Sequence, residues 1–325
     1  MRALVIARPG GPEVLEIRER RDPVPAPREV LVRVRASALN RADLLQRRGL
    51  YPAPEGAPPD VPGLEFAGEV AACGDAVSER RCGDRVMGIV GGGAQAELVA
   101  VHEQLCLPIP EAMPYEEAAA IPEAYLTAYD ALFLRGNLAP GETVLLHAAG
   151  SGVGTAAAAL ATSGGARVVA LARSEDKRRR LAAMGLAVVD PAVADPVAAI
   201  RGAAGGAIDL VIDLLGAASF AQNVDVLAVL GRMVLLGTMG GASAEVDLGA
   251  LMRKRLTVIG TVLRSRPLEE KVELTRAFAR SALPLFTAGR LRPFVDRIVP
   301  WTEARAAHAA MERNENFGKI VLSVA

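Results

Sequence analysis

The chain has only three cysteines among its 325 residues, Cys73, Cys82 and Cys106. The three cannot all pair with one another, and none of them stands in a C-x-x-C spacing. The sequence therefore supports neither a disulfide framework nor a structural zinc lobe. We expect buried or half-buried free thiols in a reducing compartment, which favours the cytoplasm.

An excess of charge of either sign is also absent. Lys and Arg together number 37, and so do Asp and Glu, so no overall field attracts nucleic acid or an anionic membrane surface. Only four of the basic residues are Lys, and this preference for Arg indicates a compositional bias rather than a binding patch. We expect neither a nucleic-acid partner nor a membrane partner.

The first residues contain no apolar run long enough for the core of a signal peptide. The segment from Thr143 to Ala166 carries no Asp, Glu, Lys or Arg and is long enough to cross a bilayer. Gly150, Gly152 and Gly154 interrupt it. A strand, a tight loop and a buried helix therefore explain this segment better than a membrane span.

Short apolar or alternating runs, separated by Pro and Gly clusters, make up the first third of the chain. Their spacing predicts a compact antiparallel barrel or sandwich. It also predicts one helix, from Arg41 to Arg48, which ends at Gly49. The predicted strands are Ala3 to Ala7, Val14 to Ile17, Val30 to Ala36, Gly68 to Ala72, Arg85 to Ile89 and Gln95 to Val101.

From about Glu123 the pattern changes to strands that alternate with helices, and a chain of this length favours two domains. Strands that are apolar on both faces are typical of a parallel sheet covered by helices. The predicted strands are Thr143 to His147, Arg167 to Ala172, Ala187 to Val189, Leu210 to Asp213, Met233 to Leu236, Thr257 to Val262 and Lys319 to Val324. The predicted helices are Gly152 to Gly164, Asp176 to Met184, Leu268 to Gly289 and Ala304 to Glu312.

A glycine-rich turn joins the first of these strands to its helix. Backbone N–H groups at a helix N-terminus attract a pyrophosphate, and glycines allow it to approach closely. The turn is not a full G-x-G-x-x-G motif, since Ala149 and Ser151 stand at two of the three positions. The strand before it and the second strand–helix unit after it nevertheless predict dinucleotide binding. The expected contacts are Ser151, Gly152, Val153 and Gly154.

The second strand of this unit does not end in an acid, although NAD enzymes usually hold the ribose 2′-hydroxyl with Asp or Glu there. Arg173, Ser174 and Lys177 follow instead and suit a 2′-phosphate, which favours NADPH. The two acids between Ser174 and Lys177 open the next helix, where they favour its dipole. The three arginines after Lys177 are interpreted as a solvated helix face.

Three motifs follow one another in the order found in medium-chain alcohol dehydrogenases. They are Ser37-Ala38-Leu39-Asn40-Arg41-Ala42-Asp43-Leu44, Gly63-Leu64-Glu65-Phe66-Ala67-Gly68 and the turn at 147–154. The chain resembles the medium-chain dehydrogenase/reductase superfamily over essentially its whole length. This resemblance implies an α/β protein with a GroES-like β-barrel catalytic domain, 1–123 and 266–325. A Rossmann domain with a doubly wound parallel sheet, 124–265, would bind the cofactor.

Zinc enzymes of the superfamily carry Cys where Asn40 stands, His where Leu64 stands and a third ligand near Ala124. All three ligands are missing, and in this respect the chain resembles the zinc-free quinone oxidoreductase branch. The stretches 37–44 and 263–266 resemble its stress-inducible NADPH subgroup most closely. The resemblance therefore implies that no metal is bound.

The resemblance assigns Asn40, Asp43 and Tyr51 to the catalytic cleft. Asn40 also suits an ordinary helix N-cap, and Asp43 can simply hold Arg41 or a backbone N–H. Tyr51 has two interpretations. Its hydroxyl can hydrogen-bond a quinone oxygen or the nicotinamide ribose, or Tyr51 can be a loop residue that packs on the surface. Glu65 can pair with a buried Arg and is assigned no chemistry.

Further cofactor contacts follow from the resemblance alone. Lys177 stands where quinone oxidoreductases place a phosphate-contacting Lys, whereas the Tyr that relatives often place under the adenine has no counterpart at 190–192. The remaining implied contacts are Thr127, Gly237, Leu263, Ser265 and Asn316.

The implied activity is NADPH-dependent reduction of quinones or other electrophilic acceptors without zinc. Without a Lewis acid, the hydride must go to an acceptor that is already electrophilic, while the protein binds and orients both partners. Reduction of the C=C bond of an enal or enone stays open, as does an NADPH-binding protein with little turnover. The apolar region Leu256 to Val262 predicts a sheet edge, and the resemblance implies a homodimer or dimer of dimers.

Overall fold

The computed structural model of the protein describes residues 1–324. Its strands, in chain order, are β1 (Arg2–Ile6), β2 (Leu15–Glu19), β3 (Glu29–Ala38), β4 (Glu65–Cys73), β5 (Arg85–Ile89), β6 (Leu98–His102), β7 (Cys106–Pro108), β8 (Thr143–Leu146), β9 (Arg167–Leu171), β10 (Ala187–Val189), β11 (Ile208–Asp213), β12 (Leu227–Leu235), β13 (Thr257–Gly260), β14 (Val295–Pro300) and β15 (Lys319–Ser323).

The α-helices are α1 (Arg41–Arg47), α2 (Tyr115–Ala118), α3 (Pro122–Tyr129), α4 (Gly152–Ser163), α5 (Glu175–Ala183), α6 (Pro196–Ala204), α7 (Ala217–Val226), α8 (Leu248–Lys254), α9 (Leu268–Ser281), α10 (Leu283–Thr287) and α11 (Ala304–Glu312). A π-helical turn, Asp130–Arg135, follows α3 directly.

Two compact units make up the chain. Unit 1 consists of Met1–Leu126 and Leu263–Ala325, and unit 2 consists of Thr127–Val262. The division expected from the sequence, after residues 123 and 265, lies beside these two boundaries. One unit is therefore built from both ends of the chain, and the other from its middle.

Unit 1 is organised around β3, whose alternate residues Val30, Val32 and Val34 are buried. β3 pairs antiparallel with β4, β6 and β15, in a sheet of order β14-β15-β3-β4-β5-β7. Only β14 and β15 pair in parallel. The alternate burial of residues along β3 is what a sheet with one face on a hydrophobic core requires. Phe66 and Trp301 lie in that core.

Unit 2 contains the predicted parallel sheet. Its order is β10-β9-β8-β11-β12-β13, and every neighbouring pair is parallel. β8 is buried along its whole length, as expected for a central strand that helices cover on both faces. The prediction of a doubly wound parallel sheet is confirmed.

Some local predictions differ from the structure, and helices α2, α6, α7 and α8 and strand β7 were not predicted. The helix predicted from Leu268 to Gly289 is two helices, because Pro284 in the first turn of α10 cannot continue the hydrogen bonding of α9. The half-exposed edge strand β14 carries no buried apolar run and was not predicted. Cys82 is exposed rather than buried or half-buried.

Candidate functional site

Two backbone constraints shape the turn after β8 in unit 2. Ala148 has a φ of +47°, a left-handed conformation that few residues with a side chain adopt. A Cβ atom on Gly154 would lie 2.5 Å from the Ala148 carbonyl oxygen, so only glycine fits there without a shift. The turn therefore packs directly on the start of α4.

Ser151 is the N-cap of α4. Its Oγ accepts a hydrogen bond from the Gly154 N–H at 3.0 Å, and its own N–H donates to the Ala148 carbonyl at 2.8 Å. The first turn of α4 contains no acidic residue, so the chain itself does not neutralise the positive end of the helix. These features fit a bound pyrophosphate, as the sequence predicts for Ser151 to Gly154.

The strand order of unit 2 also fits a dinucleotide. β8 and β11 lie side by side where the connections turn in opposite directions, and ligands of such folds bind beyond the carboxyl ends of the strands at that point. The structure brings several predicted cofactor contacts to this edge. Ser151 to Gly154 follow β8, Arg173 and Ser174 follow β9, and Gly237 follows β12.

The end of β9 carries basic and hydroxyl groups rather than an acid. Arg173 and Ser174 are exposed, and Lys177 is half-buried in the first turn of α5. Arg178 departs from the predicted solvated face, because its guanidinium lies 2.8 Å from the Asp190 carboxylate. It also donates to the carbonyl of Arg173 at 2.6 Å. Arg178 thus braces the segment that carries Arg173 and Ser174.

A buried polar network joins the carboxyl ends of β8 and β11. His147 Nε2 donates to Asn223 Oδ1 at 2.7 Å, and Asn223 Nδ2 donates to Asp213 Oδ2 at 3.1 Å. Asp213 also accepts from the N–H groups of Leu215 and Gly216. Burial lowers the pKa of His147, which favours the neutral imidazole. His147 is therefore a buried residue with its hydrogen bond satisfied, and the network holds the two strand ends together.

In unit 1, three polar side chains form what we call the Lys319 cluster: Asn40, Glu65 and Lys319. The Lys319 ammonium lies 2.6 Å from Glu65 Oε1, and it donates to Asn40 Oδ1 at 2.7 Å and to the Leu39 carbonyl at 2.8 Å. Asn40 Nδ2 donates to Glu65 Oε1 at 2.9 Å. Lys319 and Glu65 are both buried, so their opposite charges compensate each other away from water.

The Lys319 cluster changes two expectations. Glu65 pairs with a lysine, so the expected pairing with a buried Arg is wrong. The Asn40 amide is committed to the protein on both of its sides, through Lys319 and Glu65. Asn40 is also the residue before α1, which agrees with its reading as a helix N-cap.

Asp43 is fully buried and holds two backbone segments together. One carboxylate oxygen accepts from the Asn40 N–H at 2.8 Å and the other from the Gly63 N–H at 3.0 Å. Burial raises the pKa of Asp43 to about 6, and the two backbone hydrogen bonds oppose this rise. Of the two alternatives, Asp43 holds backbone N–H groups, while Arg41 donates to Asn314 instead.

A second group in unit 1 is the Arg264 clamp, which consists of Gln46, Tyr51, Gly91 and Arg264. Arg264 is buried and donates to the Gly91 carbonyl at 2.7 Å, the Tyr51 carbonyl at 3.2 Å and Gln46 Oε1 at 2.6 Å. Its guanidinium also lies 5.0 Å from the centre of the Tyr51 ring. Arg264 thus holds the half-buried Tyr51 through both its backbone carbonyl and its ring. Arg264 lies in the stretch 263–266, whose resemblance to the quinone oxidoreductases gave this residue no role of its own.

Glu123, in the first turn of α3, was not selected from the sequence. Its N–H donates to Glu65 Oε2 at 2.7 Å, which places it beside the Lys319 cluster. Its side chain is half-buried. Burial and the neighbouring Glu65 carboxylate raise the pKa of Glu123 to about 8. Only the packing of α3 against β4 reveals such a group, because nothing in the local sequence distinguishes it.

The other predicted contacts are divided between the units. Leu263 and Asn316 are buried in unit 1, where Asn316 Nδ2 donates to the Gly318 carbonyl at 2.7 Å. Ser265 is exposed in unit 1, and Thr127 is a half-buried residue of unit 2.

Known families match both halves of the chain. The model described as "Alcohol dehydrogenase GroES-like domain" matches residues 26–111, and the one described as "Zinc-binding dehydrogenase" matches residues 152–280. The human synaptic vesicle membrane protein VAT-1 homolog is 34% identical over 341 residues, which cover 99% of this chain and 86% of that protein. The chain belongs to the medium-chain dehydrogenase/reductase superfamily.

The similarity extends to other members. A quinone oxidoreductase of Pseudomonas aeruginosa is 33% identical over 320 residues, which cover 96% of each chain. A solved NAD-dependent alcohol dehydrogenase has a TM-score of 0.88 at 33% identity and full coverage of both chains. The CurK enoyl reductase has a TM-score of 0.86 at 27% identity, covering 100% of this chain and 99% of its own. The resemblance to the quinone oxidoreductase branch and the GroES-like and Rossmann fold classes are confirmed.

This member of the superfamily brings together the three positions that carry zinc ligands in the zinc enzymes. Asn40 contacts Glu65, Leu64 precedes it, and Ala124 follows Glu123, whose N–H binds Glu65. Within residues 1–324 no group of three or more His, Cys, Asp or Glu side chains is arranged to hold a metal ion. The Lys319 ammonium contributes the positive charge beside Glu65.

None of the helices described in residues 1–324 has the length and apolar character needed to cross a membrane. The glycine-interrupted segment from Thr143 to Ala166 contains β8, the turn and α4, as predicted.

Proposed function

We propose that this oxidoreductase reduces quinones with NADPH and without zinc. The observation that carries the proposal is the Lys319 cluster. It commits Asn40 and Glu65 to an ammonium group, where zinc enzymes of the superfamily hold their metal. A reaction without a Lewis acid needs an acceptor that is electrophilic by itself, and quinones meet that requirement.

The proposed cofactor site lies along the carboxyl edge of the unit 2 sheet. Ser151 to Gly154 would hold the pyrophosphate, and Arg173, Ser174 and Lys177 would hold the 2′-phosphate. Gly237 and Thr127 would border the nicotinamide half of the cofactor. Leu263, Ser265 and Asn316 are further cofactor contacts that the family resemblance implies. The bound nicotinamide supplies the hydride, and the protein's own residues bind and orient it.

In unit 1 the proposed roles differ from residue to residue. Tyr51, fixed by the Arg264 clamp, would orient the acceptor or cofactor through its hydroxyl. Asn40 and Asp43 would act as positioning residues, because their polar groups are already committed to Glu65, Lys319 and backbone N–H groups. An acceptor screen tests the proposal. NADPH oxidation should be fast with ortho- or para-quinones and slow with enals, and the reverse order would refute it.

A second candidate function is reduction of the C=C bond of an enal or enone. The structural similarity to an enoyl reductase favours it. An NADPH-binding protein with little turnover would bind the cofactor and fail with every acceptor in the same screen. Semiquinone detection would further distinguish one-electron from two-electron reduction.

We expect the purified protein to contain no stoichiometric zinc and to keep its full activity in a strong chelator. The reason is that Asn40, Leu64 and Ala124 cannot replace the thiolates and imidazole that bind zinc. Elemental analysis and activity assays after dialysis against chelator measure this. One tightly bound zinc ion per chain, with activity lost on its removal, would contradict the prediction.

Lys177→Ala should weaken NADPH binding and leave NADH binding nearly unchanged. A charged hydrogen bond to a phosphate is worth about 1.5–3 kcal/mol, which is roughly tenfold or more in Kd. Cofactor fluorescence titration measures both constants. The matched control is Arg179→Ala in the same helix, because Arg179 is exposed and pairs with Asp176. Equal weakening of both cofactors by Lys177→Ala would show that Lys177 supports the fold instead.

The edge strand β13 should join two copies of the chain in a homodimer. It is the last strand of the unit 2 sheet, and exposed apolar side chains lie on it and in the sequence on either side of it. They include Leu248, Met252, Val258 and Val262. Light scattering should show a dimer at micromolar concentration, and Val258→Lys should convert it to a monomer. The control is Ile298→Lys on β14, an edge strand of the unit 1 sheet that contains β3, which should leave the dimer intact.

We also propose a cytoplasmic location, on the basis of the three free thiols. Cell fractionation tests it, and recovery with vesicle membranes would refute it.

A further inference from the structure

Six titratable or charged side chains from different parts of unit 1 surround Glu123. They are Asp43 of α1, Tyr51 of the clamped loop, Glu65 of β4, Arg264, Lys271 of α9 and Lys319 of β15. All of them interact electrostatically with the Glu123 carboxyl. Most belong to the Lys319 cluster or the Arg264 clamp, so Glu123 lies where these two groups meet.

Glu123 differs from Glu65 in its partners. Glu65 receives Lys319 Nζ, Asn40 Nδ2 and the Glu123 N–H, all within 2.9 Å, and these donors match a carboxylate anion. Within residues 1–324 the Glu123 carboxyl forms no hydrogen bond or ion pair with another group. Glu123 is also partly exposed to solvent. An accessible acid without a partner, among groups that are otherwise committed, is available to a bound molecule.

Glu123 also meets the requirement for a proton donor at neutral pH. Burial is the largest cause of its raised pKa, and the Glu65 and Asp43 carboxylates add to it, while Lys319 and Arg264 oppose it. With a pKa of about 8, the carboxyl is mostly protonated at pH 7. The ideal general acid has a pKa near the working pH.

We propose that the Glu123 carboxyl gives its proton to the carbonyl oxygen of the acceptor as that oxygen gains negative charge, a role that rests on the proposed quinone reduction. A bound nicotinamide would supply the hydride, that is, one hydrogen and both electrons, to the quinone. The O–H bond of Glu123 then breaks and an O–H bond forms on the reduced acceptor. The product is a hydroquinone, and the Glu123 carboxylate takes a proton from solvent before the next turnover.

This proton transfer is downhill. A phenol such as the Tyr side chain has a pKa of about 10, so a hydroquinone oxygen of that kind holds the proton more strongly than Glu123 does. The same acid serves an enone, whose oxygen becomes an enolate when hydride adds to the β-carbon. Glu123 therefore acts on an oxygen atom in both candidate reactions.

The kinetic test compares Glu123→Gln with the exposed control Glu111→Gln. Glu123→Gln should lower kcat with a para-quinone by about 10²-fold or more, the range of a general acid, and leave the Kd of NADPH unchanged. The kcat of the wild type should fall as pH rises through about 8, since the acid form is then lost, and this fall should be absent in Glu123→Gln. Glu111→Gln should match the wild type. An unchanged kcat and pH profile in Glu123→Gln would overturn the proposal.

A second measurement does not depend on activity. Infrared difference spectra of the wild type should show the carbonyl band of a protonated carboxylic acid, which disappears near pH 8 and is missing from Glu123→Gln. A band that is absent at pH 6 would overturn the proposal even if quinones are reduced. If no acceptor is reduced at all, the proposed function and the donor role fail together, and the band still reports whether the acid is protonated.

Discussion

Lys319→Met should lower the free energy of unfolding of unit 1 by about 3–5 kcal/mol, the usual cost of removing one partner from a buried ion pair. The loss arises because the Glu65 carboxylate, which is fully buried, would keep its charge without the ammonium 2.6 Å away. The surviving donors, Asn40 Nδ2 and the Glu123 N–H, carry no full positive charge. Met keeps the length and apolar character of the lysine stem, so lost packing contributes little.

Denaturant titration followed by tryptophan fluorescence measures this effect selectively. The chain has a single Trp, Trp301, and it is buried in the core of unit 1. The control is the double variant Lys319→Met with Glu65→Gln, which removes both charges and should recover much of the loss. A single variant that costs less than about 1 kcal/mol would show that Glu65 does not depend on Lys319.

Gly154→Ala should weaken the binding of NADPH and NADH alike, by about 10- to 100-fold, which corresponds to ~1.4–2.7 kcal/mol. The added Cβ would lie 2.5 Å from the Ala148 carbonyl oxygen and 2.6 Å from Ala149 Cα. Backbone atoms cannot yield as a flexible side chain can, so the turn itself must move away from α4. The N–H groups proposed to hold the pyrophosphate would then lose their arrangement.

Gly202→Ala provides the matched control for this substitution. Gly202 lies in α6 of the same unit, and a Cβ there would meet no atom within 4 Å. The same added methyl group should stabilise the helix by up to about 1 kcal/mol and leave both cofactor dissociation constants unchanged. Isothermal titration calorimetry compares the two variants. Unchanged affinity in Gly154→Ala would contradict the proposed pyrophosphate site.

Local patterns in the sequence predicted much of unit 2. A buried strand, a glycine-rich turn and an Ala-rich helix follow one another within a short stretch. Each can be recognised locally, the strand by its continuous apolar run, the turn by its glycines and the helix by its alanines. The structure places β8, the turn and α4 accordingly. The split between α9 and α10 and the edge strand β14 were missed for the opposite reason. One depends on a single Pro284, and the other on pairing with β15 rather than on burial.

The candidate site in unit 1 could be predicted only in part. The motif positions of Asn40, Asp43 and Tyr51 were recognisable, but the partners of their polar groups were not. Arg264, within a recognised stretch, proved to clamp the loop of Tyr51. Glu123 carried no signal at all, since an acid in the first turn of a helix is ordinary.

The sequence by itself determined two things about this protein. Its periodicities determined a β-rich unit and a parallel-sheet unit, and its residue types excluded zinc ligands at Asn40, Leu64 and Ala124. Only the tertiary structure decided which buried charges face each other. Lys319 and Asn40 are 279 positions apart, and they meet because β15 pairs with β3 immediately before α1. Such pairing depends on strand register and shared burial, which no local pattern encodes, and the ammonium beside Glu65 follows from it.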